Sequence, residues 1–123
     1  MLRGDVLMNA ITNLLSAIEA RTGIEPRPFS SSNIESLPCI SFTAYRQGDN
    51  AVIESWRFQI RITAENLAEA IELDEEIADA LVSLGDMADY GTLRIEVNGG
   101  GTLEDENTGL PQILTYYDIQ TQS

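Results

Sequence analysis

The segment "SWRFQIRIT", residues 55 to 63, constrains the chain more than any other. Trp56, Phe58, Ile60 and Ile62 alternate with Arg57, Gln59, Arg61 and Thr63. Successive side chains on a strand point to opposite faces, so this period of two predicts a strand with one apolar face and one polar, basic face. At Ala64 the period changes. "AENLAEAIELDEEIADALVSLG", 64 to 85, carries Leu67, Ala70, Ile71, Ile77, Ala78, Leu81 and Leu84 at helical spacing, with Asn66 as cap and Gly85 as stop. A half-apolar strand running straight into an amphipathic helix argues for a helix layer over one face of a sheet.

The rest of the chain extends this frame. Residues 4 to 21 place Val6, Leu7, Ala10, Ile11, Leu14, Leu15 and Ile18 on one helical stripe, with Asp5 as cap and Gly23 just past the end. "IEPRPFSSSNIESL", 24 to 37, holds two prolines and a serine run and reads as a long loop or extended arm. "PCISFTAY" (38 to 45) alternates as a strand, "RQGDN" (46 to 50) turns it back, and "TLRIEVN" (92 to 98) and "PQILTYYDIQTQ" (111 to 122) supply two more strands around a loop. Both faces of the last strand are partly apolar, which leaves its orientation open. The expectation is one α+β domain spanning residues 1–123: an antiparallel four-stranded sheet with two helices packed on one face, in the order αββαββ.

Charge narrows the function classes. Twenty acids face seven bases, for a net charge of −13, and all seven bases are Arg. So acidic a surface repels nucleic acid. With no His and no Lys in the chain, the commonest general base, the commonest metal ligand, Schiff-base chemistry and the P-loop lysine are all missing. The single cysteine, Cys39, can form no internal disulfide and no thiolate zinc site, and reads as a buried inert thiol. The N-terminal stretch is interrupted by Asp5, Asn9, Thr12 and Asn13, as an amphipathic helix would be and a signal peptide would not. No run is long and apolar enough for a membrane span, and cytoplasm is the expected compartment. No enzyme activity, cofactor or membrane partner is expected.

"GGGTLEDENTG", 99 to 109, invites a phosphate or cation reading. A phosphate cradle needs a helix start and a following Lys or hydroxyl, whereas strands flank this segment and acids follow it. A calcium loop opened by Glu104 puts Gly109 at the sixth position but Thr115, not Glu, at the twelfth. A flexible hairpin loop over 98–110 is the better expectation, with Asn98-Gly99 as its turn signal and Glu104, Asp105, Glu106 and Asn107 as solvated or partner-facing groups. The acids of the second helix (Glu72, Glu75, Glu76 and Asp79 among them) read as a solvated face. On the polar sheet face, Arg57, Arg61, Arg94 and Glu96 are candidate interface residues, pairing either across the sheet or with a neighbour's acids. Arg46 and Asp49, in the turn between the first two strands, are further contact candidates.

Four pieces in order, an N-terminal helix, "LPCISFTAY", "WRFQIRITAENLAEAIELDEEIADAL" and "LEDENTGLPQILTYYDIQ" with its D-x-x-T-G loop, resemble the small tail terminator and tail completion proteins of long-tailed bacteriophages. The likeness covers nearly the whole chain; the segment "EPRPFSSSNIES" departs from it by lacking the tyrosine and glycines often found before that strand. The resemblance implies a structural virion protein, built in the host cytoplasm and placed at the head-proximal end of the tail. It implies self-association into a ring, a hexamer in the family, that caps the tail tube protein, stops tube growth and meets a head-neck connector protein. DNA would cross the acidic lumen without specific binding. Glu104 to Asn107 would then line the lumen or dock, and Arg57, Arg61 and Arg94 would meet acids of the adjacent subunit. A head-completion or neck connector of the same size class is the alternative, and from another class an acidic DNA-mimic inhibitor.

Overall fold

Burial follows the alternation of the central strand. Phe58, Ile60 and Ile62 are fully buried, while Arg57, Gln59 and Arg61 between them stay partly exposed. The computed structural model of the chain describes residues 3–29, 37–49, 53–82, 92–105 and 108–122. In chain order these form α1 (Arg3–Thr22), β1 (Arg27–Pro28), β2 (Cys39–Asp49), β3 (Ile53–Thr63), α2 (Leu67–Val82), β4 (Thr92–Glu104) and β5 (Pro111–Gln122). The five strands make one sheet in the order β1-β2-β3-β5-β4.

The architecture is α+β, with a mixed sheet where an antiparallel four-stranded one was expected. β2, β3, β5 and β4 pair antiparallel, and β1 adds a parallel edge, Arg27 opposite Ser41 and Pro28 opposite Phe42. The element order is therefore αβββαββ, not αββαββ. The extra strand is two residues long and contains a proline that cannot donate to a ladder, a combination no periodicity can announce. Its neighbour Phe29 holds the pairing with an N–H donated to the Phe42 carbonyl at 2.9 Å.

Leu14 and Ile18 of α1 and Ala70, Leu73, Ile77 and Leu81 of α2 meet Ile40, Phe58, Ile60, Ile62, Ile95, Ile113, Tyr117 and Ile119 of the sheet in one core. Each such aliphatic side chain contributes about 1.5–3 kcal/mol on burial. The orientation of β5 is thereby settled: Ile113, Thr115, Tyr117 and Ile119 face the helices, and Leu114, Tyr116 and Asp118 face away. The stripe of α2 is rotated from the expected one. Leu67 and Ile71 are 42% and 44% exposed, whereas Leu73 and Ala80 are buried. At about 100° per residue, Leu67 and Ile71 lie on the flank of the helix beside the sector centred on Ile77.

Helix ends follow local chemistry. Asn66 Oδ1 accepts the Glu69 N–H at 2.8 Å, the expected N-cap. Gly23 adopts φ 75° and returns its N–H to Glu19 O at 2.8 Å, closing α1. α1 already includes Arg3 and Gly4, so Asp5 lies within the helix rather than at its cap. The expected helix end at Gly85 and the loop 86–91 lie outside the described residues.

Asn98-Gly99 does not turn the chain. β4 continues through it to Glu104, and the register against β5 shifts between Val97 and Gly100. The dipeptide forms a bulge, with Gly99 and Gly100 at φ 96° and 145°. Glycine is required at the second of these: a Cβ there would stand 2.1 Å from the Leu114 carbonyl oxygen. Gly100→Ala should cost about 2–4 kcal/mol by forcing the two strands apart. Gly101→Ala, with nothing within 4 Å of its added methyl, should stay within about 1 kcal/mol of the parent in urea denaturation.

Candidate functional site

The sheet has two unlike faces. One is sealed by the helices. The other carries the rows Ser41–Arg61–Leu114, Thr43–Gln59–Tyr116 and Tyr45–Arg57–Asp118, none of whose residues is buried. Only the end row closes: Thr63 and Gln112 are buried, and Gln112 Nε2 donates to Thr63 Oγ1 at 3.0 Å. Cys39 borders this row, half-buried rather than buried, and burial pushes its thiol above the ordinary value against a weaker pull from Thr63. The protonated thiol is the less reactive form.

Arg57 and Arg61 lie four residues apart on β3, about 13 Å along the strand, and have different surroundings. Arg57 Nε meets Asp118 Oδ1 at 3.2 Å, and its guanidinium carbon sits 5.3 Å from the Tyr116 ring centroid. The hydrogen bond to Asp118 raises its already high pKa further. Asp118 also accepts from Asn98 Nδ2, which ties the bulge of β4 to the same carboxylate. Arg61 meets no carboxylate among the described residues. Its guanidinium stacks on Phe29, 4.4 Å from the ring centroid, and its buried Nε has no hydrogen-bond partner.

The other expected interface residues spread over the sheet. Glu96, exposed on β4, stands opposite Asp118 in register. Arg94 occupies the β4 position opposite Gln120. Arg46 and Asp49 lie within the long β2, opposite Trp56 and Glu54, since the expected turn at 46–50 is strand as far as Asp49. The sequence offered Asp118 and Tyr116 as an alternating pair on β5, but not their contact with Arg57. Phe29, inside a proline-rich segment, gave no signal at all.

The acidic segment divides likewise. Gly99 to Glu104 is strand, so the expected loop is confined to the residues between Glu104 and Pro111. Asp105 Oδ2 accepts the Thr108 N–H at 2.9 Å and the Thr108 hydroxyl at 2.6 Å. The Asp105 and Gly109 amides bond across the loop to Leu110 O and Asp105 O at 2.9 and 2.8 Å. Asp105 is thus the tie that holds this turn. Glu104 is exposed at the strand end, and Glu106 and Asn107 lie outside the described residues. Among the described residues, no three His, Cys, Asp or Glu side chains converge as a metal site would need.

One polar contact reaches into the core. Thr115 Oγ1 donates to Asp74 Oδ1 at 2.8 Å, joining β5 to α2. Beside it, the Tyr117 hydroxyl is buried without a partner.

No protein-family model matches the chain, and no curated protein sequence matches it. What the chain does is therefore read from its surfaces.

Burial, and then the Asp74 charge, push the Tyr117 phenol above its ordinary value of 10.0. Below that pH both folded and unfolded states keep the proton. Above it the unfolded chain releases the proton and the folded chain does not, so stability falls as pH rises toward the folded value. Tyr117→Phe removes this loss: above pH 10 the parent should decline more steeply than the variant, by up to about 1.4 kcal/mol per pH unit. At pH 7 the variant should lie within about 1 kcal/mol of the parent, because the hydroxyl it removes is unpaired. Urea melts across pH read both quantities.

Proposed function

We propose that this chain is a structural subunit of a long-tailed bacteriophage tail, acting as a tail terminator. It closes into a homo-oligomeric ring, a hexamer by resemblance, on the head-proximal end of the tail tube. There it stops tube growth and presents the surface to which the head-neck connector joins. The observation that carries the proposal is the uncovered sheet face. A domain whose helices seal one side, and whose other side offers Arg57, Arg61, Tyr45, Tyr116 and Phe29, has the composition of a protein–protein contact. The order of "LPCISFTAY", the strand–helix unit after it and the D-x-x-T-G loop supports the same reading.

Charge supports it as well. A subunit at −13, repeated around a ring, gives a lumen that repels a passing DNA. The turn tied by Asp105, with Glu104 at its base, is compact enough to line such a lumen or dock on a tube.

Light scattering and negative-stain imaging, over a range of protein concentrations and with purified tail tubes, test the proposal. Rings, free or seated on tube ends, with tube elongation arrested, are the expected result. A monomer that leaves tubes open and growing overturns it.

A further inference from the structure

Arg61 is the anomaly of the surface. Acids outnumber bases by 20 to 7, so a surface guanidinium has many carboxylates within reach. Arg21 takes Asp79 at 2.9 Å and Arg57 takes Asp118 at 3.2 Å. Arg61 and Arg27 take none among the described residues. Arg61 is nonetheless held in place, its plane stacked on Phe29 and its Nε buried. A guanidinium fixed by stacking loses little freedom when a carboxylate arrives.

The topology sets a second cation beside it. Arg27 pairs with Ser41, and Ser41 with Arg61, so the two arginines occupy one row of the sheet. Two strand spacings put them about 9.5 Å apart. Phe29 lies next to them, 44% exposed. The short strand β1 thus builds a basic, aromatic-floored patch on a strongly acidic protein.

The complementary surface is on the opposite side of the same domain. Glu72 and Glu75 are exposed on the outer stripe of α2, away from the buried sector of Leu73 and Ile77, while Asp79 on the same stripe is taken by Arg21. α2 contains no basic residue, so its carboxylates repel one another without relief along the helix.

We propose that the Arg27–Phe29–Arg61 patch receives Glu72 and Glu75 of a second copy of this chain. Such a contact joins unlike surfaces, sheet face to helix layer, and so propagates from copy to copy until it closes. It rests on the ring assigned above and names the surfaces that build it. It also separates the arginines: Arg61 and Arg27 serve the neighbour, whereas Arg57 is engaged by its own Asp118.

Charge reversal and its rescue test the contact. Arg61→Glu, Arg27→Glu and a Glu72→Arg/Glu75→Arg variant are compared with the parent by sedimentation and light scattering, with thermal melts confirming that each folds. Each should associate at least tenfold more weakly, and addition of salt should weaken the parent in the same direction. Combining Arg61→Glu with Glu72→Arg/Glu75→Arg should restore association to within about threefold of the parent, by returning opposite charges to the contact. Parent rings that persist unchanged in folded single-site variants overturn the contact and leave the ring standing. Variant rings that form normally but no longer cap tubes also overturn it, since the patch then serves a tail protein. A parent that never assembles, with or without tubes, overturns the ring and this contact together.

Discussion

Everything in this fold depends on β3 being a central strand with two incompatible faces. Phe58, Ile60 and Ile62 are wholly buried against the helices, and moving the strand by one residue would exchange them for Arg57, Gln59 and Arg61. The neighbours follow from that register. β2 supplies Ile40 and Phe42 to the apolar rows, and β5 supplies Ile113 and Tyr117. The same register delivers Asp118 to Arg57 and Ser41 to Arg61. The core and the polar, basic face are thus two consequences of one alternating segment.

That coupling explains why the core was legible in the sequence and the surface only partly. Period two in 55–63 and the Asn66 cap each reflect local chemistry, and each appears in the structure where the sequence placed it; the helix after Ala64 appears as well, with its buried stripe turned away from Leu67 and Ile71. β1 has no such signal, because two residues containing a proline carry no period. β4 reaches past Asn98-Gly99 because pairing with β5 outweighs a local turn preference, and the glycines absorb the mismatch as a bulge. The arginines could be assigned to a polar face, but their partners depend on strand order. β5 lies between β3 and β4, so Arg57 meets Asp118 rather than Glu96.

The two arginines of β3 also show how little a charge count says about roles. One is locked to its own sheet, beside an aspartate and a tyrosine. The other is stacked on Phe29, with no acid among the described residues, in a protein rich in acids. Neutralising one would disturb the surface it belongs to, whereas neutralising the other breaks no ion pair among the described residues. Asp105 makes the same point among the acids, since its carboxylate is spent on Thr108 within a single turn.

The bulge in β4 has a consequence for how copies can meet. A sheet with bare rims invites endless sideways growth by strand addition, the route by which many β-proteins aggregate. Here one rim is two residues of β1 with a proline at its end and, past them, β2 with its register shift between Arg46 and Gly48; the other is β4, interrupted at Gly99 and Gly100 and forced into a local twist. Neither offers a long straight template. For the assembly proposed above, that leaves the broad surfaces, where side chains rather than backbone amides choose the partner.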